Sequence, residues 1–428
     1  MKNFNKLKAR TIDFYYKFTN LKEIEQSSML KWLIGAVLLS FFVSFFLWTG
    51  EDVMSISAFI NGSYTCPPYF QSCGQYYFFT ALPYGYSQNA WYVILLAIIG
   101  GAVVAMKQRK WLWVHICLSV LLLWKILVVF FLSYGGSRGN YDYYDMLLAL
   151  IILFFPSKVF FTRAAFVTLY VMAGILKLHE GWIYGTYLTT LTTGIPVFGN
   201  HFAPIITGLV VVMQLGLSWL LLTNKDSWGR MSVFLYFAAF HFYSGLLVGY
   251  RYLTISIPAL FILFWLFRKE EKTIAPSFKK GAAGYILLAL LMVLQLIPVF
   301  RVGDERLSLE GNYYRLYMFE ANHQCDSYAT VYRKDGTSED MESYSRSAHS
   351  RCDPYKSFFR LQTVCQRDET IDRIAWQFDH SINGKDFLRI VDIPNVCELD
   401  YKPFTHNDWI KTDKDNPEVI KPASKNYY

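Results

Sequence analysis

The sequence predicts a mainly α-helical, polytopic membrane bundle of about nine spans, carrying a C-terminal extracytoplasmic α+β domain. Three observations predict it. Charged residues make up 17% of the 428 residues and hydrophobic ones 54%, whereas soluble domains carry roughly 25% charged residues. The apolar residues collect in runs near the roughly 17–25 residues that a bilayer requires. The charge is also divided: residues 301–428 hold 18 Lys+Arg against 22 Asp+Glu, a net of −4, which leaves 23 against 11, a net of +12, for the first 300.

Residues 1–30 form a basic arm in which Phe4, Leu7, Phe14, Phe18 and Leu21 recur at helical spacing. Two readings are open, an amphipathic helix on the inner membrane surface or a plain solvated arm. The bundle occupies residues 31–300, with apolar runs near 33–49, 91–106, 111–134, 145–161, 164–179, 204–223, 231–250, 252–267 and 282–300. Lys158 and Arg163 barely separate the fourth and fifth. Basic residues stand in short clusters between the runs, because a charge placed in hydrocarbon costs several kcal/mol. A nucleic-acid partner would need them on one solvated face, so the net charge of +8 reports membrane orientation instead. Basic clusters stay cytoplasmic. The N-terminal arm, Lys107–Lys110, Lys158 with Arg163, Lys225 with Arg230, and Arg268–Lys280 share one side if there are nine spans. The expectation is a multi-pass protein with a cytoplasmic N-terminus and an extracytoplasmic (periplasmic or lumenal) C-terminal domain. No signal-peptide pattern precedes the first run.

Six of the seven cysteines fall in the expected outer segments: Cys66, Cys73, Cys325, Cys352, Cys365 and Cys397. Such a set suits an oxidising compartment and up to three disulfides, whose pairing the spacing leaves open. A metal site is the competing reading, but no CxxC pair exists, and none is expected. In the domain at 301–410, Tyr328–Tyr332 alternates and ends at Asp335-Gly336. Asp353-Pro354 opens a helix, and Ala375–Ile382 and Phe387–Ile393 flank the hairpin signal Asn383-Gly384. Residues 411–428 read as a polar tail that frays.

Ionisable residues within or beside spans are the first candidates for chemistry. Lys177 follows Gly174-Ile175-Leu176 and precedes Trp182. In one reading its ammonium snorkels to the interface, where Trp182 anchors the aromatic belt. In the other it is a desolvated amine acting as a general base. His241 lies mid-span among aromatics, as a hydrogen-bonded helix contact or a ligand. Lys125 lies deep in its span and needs either a partner, for which Asp142 and Asp145 are candidates, or a polar cavity. The phosphate loop, HExxH helix and GxSxG elbow are all missing, which sets aside kinase, zinc-protease and serine-hydrolase readings.

The stretch Val171-Met172-Ala173-Gly174-Ile175-Leu176-Lys177-Leu178, with Trp182 and Gly185 behind it, resembles the signature of the vitamin K-dependent gamma-glutamyl carboxylases. Their bacterial relatives carry the same transmembrane domain. Phe240-His241 is similar to that family's Phe-His pair. The resemblance continues through Met318, Arg333-Lys334-Asp335-Gly336, Ser381-Ile382-Asn383, Arg389-Ile390-Val391-Asp392, Pro403-Phe404 and Trp409. These matches follow family order over most of residues 50–410.

The resemblance implies carboxylation of peptide or protein glutamate using a reduced quinone, oxygen and carbon dioxide. It implies Lys177 as the initiating base, vitamin K hydroquinone or a related quinol as cofactor, and no metal. The implied pocket adds His241, Asn140, Tyr141, Trp182, Tyr313 and Met318. The implied partners are the lipid bilayer, the quinol and a glutamate-bearing peptide. It also implies a disulfide tying the first outer loop to the outer domain, best matched by Cys73 with Cys365, Cys66 being the alternative. The chain departs from the family at Tyr141, where a histidine follows the asparagine. The alternative function is a non-catalytic maturation or export factor for a secreted peptide or protein.

Overall fold

The computed structural model describes residues 2–47, 65–75, 86–132, 140–190, 194–225, 227–248, 253–311, 313, 321–346 and 352–420. Among the described residues each of the nine apolar runs is mainly helical. In chain order, the basic arm forms α1 (Lys2–Thr19) and α2 (Leu21–Gln26). The bundle follows as α3 (Ser28–Phe42), α4 (Tyr86–Lys107), α5 (Trp111–Ile126), α6 (Asn140–Phe154) and α7 (Lys158–Ile175). Two single-turn helices, α8 (Glu180–Ile183) and α9 (Thr186–Thr189), lead into α10 (Ala203–Val212). The bundle closes with α11 (Trp228–Val248), α12 (Leu253–Phe261) and α13 (Phe278–Leu296). Short π or 3₁₀ segments prolong α3, α5, α10, α12 and α13. Among the described residues, five helices are long and apolar enough to cross a membrane: Ser28–Phe46, Ala90–Lys107, Lys158–Ile175, Asn200–Leu222 and Phe278–Phe300. Trp111–Ile126 and Leu253–Leu266 are shorter apolar helices.

α7 is the central helix, with fifteen of its eighteen residues buried. Its start corrects the expected boundary between the fourth and fifth runs. Proline disfavours helix in the residue before it and cannot donate to the ladder, so Pro156 ends α6 at Phe154, and Ser157 turns through a left-handed φ of 54°. Lys158 Nζ donates to Phe155 O at 2.8 Å, capping the carbonyl end of α6. Arg163 lies inside α7.

The arm is docked, which rules out the solvated reading. Leu21 and Ile24 enter the main core, and the Tyr15 hydroxyl meets His115 Nδ1 at 2.7 Å. Phe14 and Phe18 remain exposed and stacked on each other.

The C-terminal domain is a five-stranded antiparallel sheet ordered β2-β1-β3-β4-β5. Its strands are β1 (His323–Arg333), β2 (Ser338–Arg346), β3 (Ile371–Ile382), β4 (Phe387–Ile393) and β5 (Val419–Ile420), with α14 (Glu305–Ser308) before them and α15 (Pro354–Arg367) after β2. Both expected turns form: Gly336 and the pair Asn383-Gly384 have positive φ. Asp353 caps α15 by accepting from Tyr355 N at 3.0 Å. The fraying expected from Lys411 onward is corrected up to residue 420. Thr412 is fully buried within a capping box with Asp415, and Val419–Ile420 pairs with β4.

Three disulfides close within local segments: Cys66–Cys73, Cys325–Cys352 and Cys365–Cys397. The expected Cys73–Cys365 link is therefore corrected, and so is its Cys66 alternative. The loop and the domain are joined without a covalent bond. Tyr355 donates its hydroxyl to Cys66 O at 2.9 Å, Gln71 Nε2 donates to Tyr401 O at 2.9 Å, and Tyr69 packs on Tyr313.

Candidate functional site: the segment after α7

Lys177 stands just past the last turn of α7, where the final carbonyls of a helix lack intrahelical partners. Its Nζ donates to Ala173 O at 3.0 Å and lies 5.0 Å from the centroid of the Trp182 ring. The side chain is only 3% exposed. Lys177 and Trp182, both singled out in the sequence, are thus brought together. Trp182 in turn stacks on Tyr187 at 5.4 Å and shares an apolar cluster with Ile195, Val210 and Phe240.

Two glycines allow this segment to pack closely. A Cβ on Gly174 would sit 2.8 Å from Leu215 Cγ and 3.1 Å from Gln214 Cβ, in the π segment Met213–Leu217 that follows α10. A Cβ on Gly181 would sit 2.5 Å from Asn383 Nδ2. The β3–β4 turn therefore seats its tip against α8. Asn383 and Asn322 exchange hydrogen bonds of 2.9 Å, and Asn322 Nδ2 reaches the Tyr187 carbonyl and Thr190 Oγ1. Lys385 and Glu180 add an exposed pair at 3.8 Å, of a kind that contributes little.

Gln214 was missed by the sequence reading, although it is the lone amide in its apolar run. It is 1% exposed, and neither Oε1 nor Nε2 has a hydrogen-bond partner among the described residues. Leaving a buried polar group unsatisfied costs about 1–3 kcal/mol. Such a group beside Gly174, one turn before Lys177, marks a place where a polar ligand atom or water would be held.

His241 is buried on α11, and its Nε2 meets the Tyr170 hydroxyl at 2.6 Å, the helix contact that was one of its two readings. Tyr170 lies on α7 seven residues before Lys177, about 10 Å along the axis, and stacks on Phe237 at 4.0 Å. Tyr313 lies elsewhere, in the core of the C-terminal domain. Met318, and the side chains of Asn140 and Tyr141, lie outside the described residues.

Lys125 forms a second buried centre. Its Nζ lies 2.9 Å from Asp142 Oδ1, 2.8 Å from Asp145 Oδ2 and 3.2 Å from Ser44 Oγ, and Ser40 donates to Asp145. All three charged side chains are at most 2% exposed, so the partners suggested by the sequence are its partners in space. They stand on the first turns of α6.

In the C-terminal domain, His323 Nδ1 meets His380 Nε2 at 3.0 Å, and His380 Nδ1 meets Leu307 O at 2.7 Å. Burial pushes His380 down to about 4, against the opposing pull of the Leu307 carbonyl and Asp304. Asp304 caps α14. Its burial would raise its pKa, but hydrogen bonds and charge from Arg306 outweigh that and hold it below the usual carboxylate value. No group of three His, Cys, Asp or Glu among the described residues could hold a metal ion.

The class defined by fold and site is a helical protein with membrane-length apolar helices, a small C-terminal sheet and a buried lysine where the two meet. No protein-family model, curated protein or solved structure matches the chain.

Proposed function

We propose that the protein is an integral membrane enzyme that carboxylates glutamate side chains of a peptide or protein, with Lys177 as the base that starts the reaction. The single observation that carries this reading is the grouping of Lys177, Trp182 and Gln214 at the end of α7. The residues present fit a quinol. Trp182 offers a flat aromatic face, and the Gln214 amide can both donate to and accept from a quinol oxygen. Lys177 would receive a hydroxyl proton at Nζ. When bound, a quinol supplies the reducing equivalents that, with oxygen, generate a base strong enough to remove a glutamate γ-proton.

The residues' own tasks follow from their places. In its resting geometry Lys177 donates to Ala173 O beside the Trp182 ring. To act it must deliver that proton and return as the amine, which a dry, apolar boundary favours by disfavouring the charged form. Gln214 orients the oxygen that Lys177 addresses. The Asn383 turn covers α8, so that a peptide reaching the site passes along the C-terminal domain.

The same reading takes all nine apolar helices as spans, with the basic clusters on the cytoplasmic face and the C-terminal domain outside. Positive-inside counting supports this, as do the three disulfides in the segments assigned to the outside. Tyr141, where the carboxylase family has histidine, favours the second reading, a maturation or export factor that binds without catalysis. The test is the reaction itself. Purified protein with reduced naphthoquinone, oxygen, bicarbonate and a glutamate peptide should yield carboxyglutamate, and none when the quinone is oxidised. Loss of a secreted product on gene deletion, with no carboxyglutamate in any assay, would establish the second reading instead.

A further inference from the structure

From Gly181 to Asn224 the chain contains no Asp, Glu, Lys or Arg, although residues 180–203 fall between two apolar runs. Before α10 this stretch makes a loop that reads Gly194-Ile195-Pro196-Val197-Phe198-Gly199-Asn200. Asn200 Oδ1 accepts from Ile195 N at 2.9 Å, and Gly199 N donates to Ile195 O at 2.9 Å. The Tyr243 hydroxyl of α11 donates to Pro196 O at 2.7 Å. These bonds hold Val197 at a φ of 74°, a left-handed conformation that a β-branched residue adopts only when its surroundings impose it. The constraint does not serve to bury Val197, which is 92% exposed. The base of the loop is anchored instead, with Ile195 buried in the apolar cluster of Trp182, Tyr187 and Val210.

Two observations say what the apolar tip faces. The first is continuity. Phe202, Ile205, Leu209 and Val212 are all exposed, and their intervals of three, four and three residues put them on one helical face. Phe198, also exposed, lies four residues before Phe202. This face belongs to Asn200–Leu222, a helix of membrane length, so the tip prolongs the surface that the helix would turn to lipid. The second is depth. Tyr243, whose ring also meets Phe198 at 5.6 Å, lies five residues before the last residue of α11, about 7 Å along its axis. The tip therefore lies beside the body of α11 and not beyond its end. The polar flank of the same stretch is turned to the C-terminal domain, where Asn322 Nδ2 donates to Thr190 Oγ1 at 2.8 Å and Lys385 lies 3.8 Å from Glu180. Asn200 and His201, exposed beside the tip, suit the headgroup boundary.

We propose that Pro196-Val197-Phe198 is inserted among the acyl chains of the leaflet next to the C-terminal domain, which makes this loop a membrane-contacting element. The proposal rests on the reading of α10 and α11 as spans. The experiment attaches one nitroxide at a time to Val197→Cys, Val212→Cys or Lys334→Cys in a Cys117→Ser background, which removes the free cysteine found among the described residues. In phosphatidylcholine vesicles, collisions with oxygen, which concentrates in hydrocarbon, are compared with collisions with a water-soluble nickel chelate. Val212 reports the exposed face of α10, and Lys334 the exposed turn between β1 and β2. The oxygen-to-nickel ratio at position 197 should match that at 212 and exceed that at 334 several-fold. A high ratio at 212 with 197 equal to 334 would overturn the insertion and leave the spans standing. A low ratio at 212 as well would remove the spans, and the proposal with them. Shielding of position 197 from both reagents would also overturn it, because protein, such as a second copy of the chain, would then cover the tip. Should Val197→Cys fail to fold, Phe198→Cys gives the same reading from the neighbouring exposed position.

Discussion

At the scale of single residues, Gln214 separates stability from function. Because its amide has no hydrogen-bond partner among the described residues, Gln214→Leu should leave the fold as stable or make it more stable by about 1–2 kcal/mol. The same change should weaken quinone-induced stabilisation. Thermal unfolding with and without quinone checks both, and a loss of stability without quinone would mean that the amide serves packing. His380 makes a different prediction. Its folded pKa of about 4 lies below the ordinary 6.5, so between those values the unfolded chain binds more protons. Its contribution is complete above pH 6.5 and is lost as pH falls towards 4, by an amount on the order of 3 kcal/mol. Unfolding followed by a probe in the C-terminal domain should show this loss in the wild type and a flatter profile in His380→Asn. Asp368, held down to about 2 by Thr370 and Arg333, acts in a lower window, from pH 3.8 downwards. Lys177, Trp182 and Lys125 were legible from the sequence because a charge or indole beside an apolar run is conspicuous. Gln214 was not, since an uncharged amide barely disturbs hydropathy and its isolation appears only when α7 and α10 pack.

At the scale of elements, the contact between α8 and the β3–β4 turn is a close fit with a defined partner. Gly181→Ala should cost about 1–3 kcal/mol, as overpacking does. Asn383→Gly keeps the left-handed backbone and removes the obstructing amide, so the double variant should recover most of the loss introduced by the alanine. Unfolding temperatures of the four proteins in the cycle measure the coupling, and simple additivity would contradict the contact. Both turns and α15 were legible, because their turn and cap residues act over a few positions. The start of α7 was misplaced because hydropathy runs smoothly across Pro156, where the backbone does not. Strand β5 was hidden since Val419–Ile420 is too short to alternate, and only its pairing with Phe387 and Leu388 defines it.

At the scale of the whole molecule, apolar runs in a net-basic region and cysteines in a net-acidic one divide the chain into a helical bundle and a sheet domain. That division was visible in charge counts alone. The disulfide pairing was not, because spacing permits many pairings and only the fold brings the right sulfurs together. Peptide mapping without reduction should recover Cys66–Cys73, Cys325–Cys352 and Cys365–Cys397, and a Cys73–Cys365 peptide would contradict the arrangement. The central claim is that the buried amine at the junction performs chemistry. The most direct measurement compares the wild type with Lys177→Ala and Lys177→Gln, each incubated with reduced quinone, oxygen, isotopically labelled bicarbonate and a glutamate peptide. Mass spectrometry should find labelled carboxyglutamate with the wild type and at least about a hundredfold less with either variant, the scale of a lost general base. Equal labelling by all three proteins would contradict the role given to Lys177.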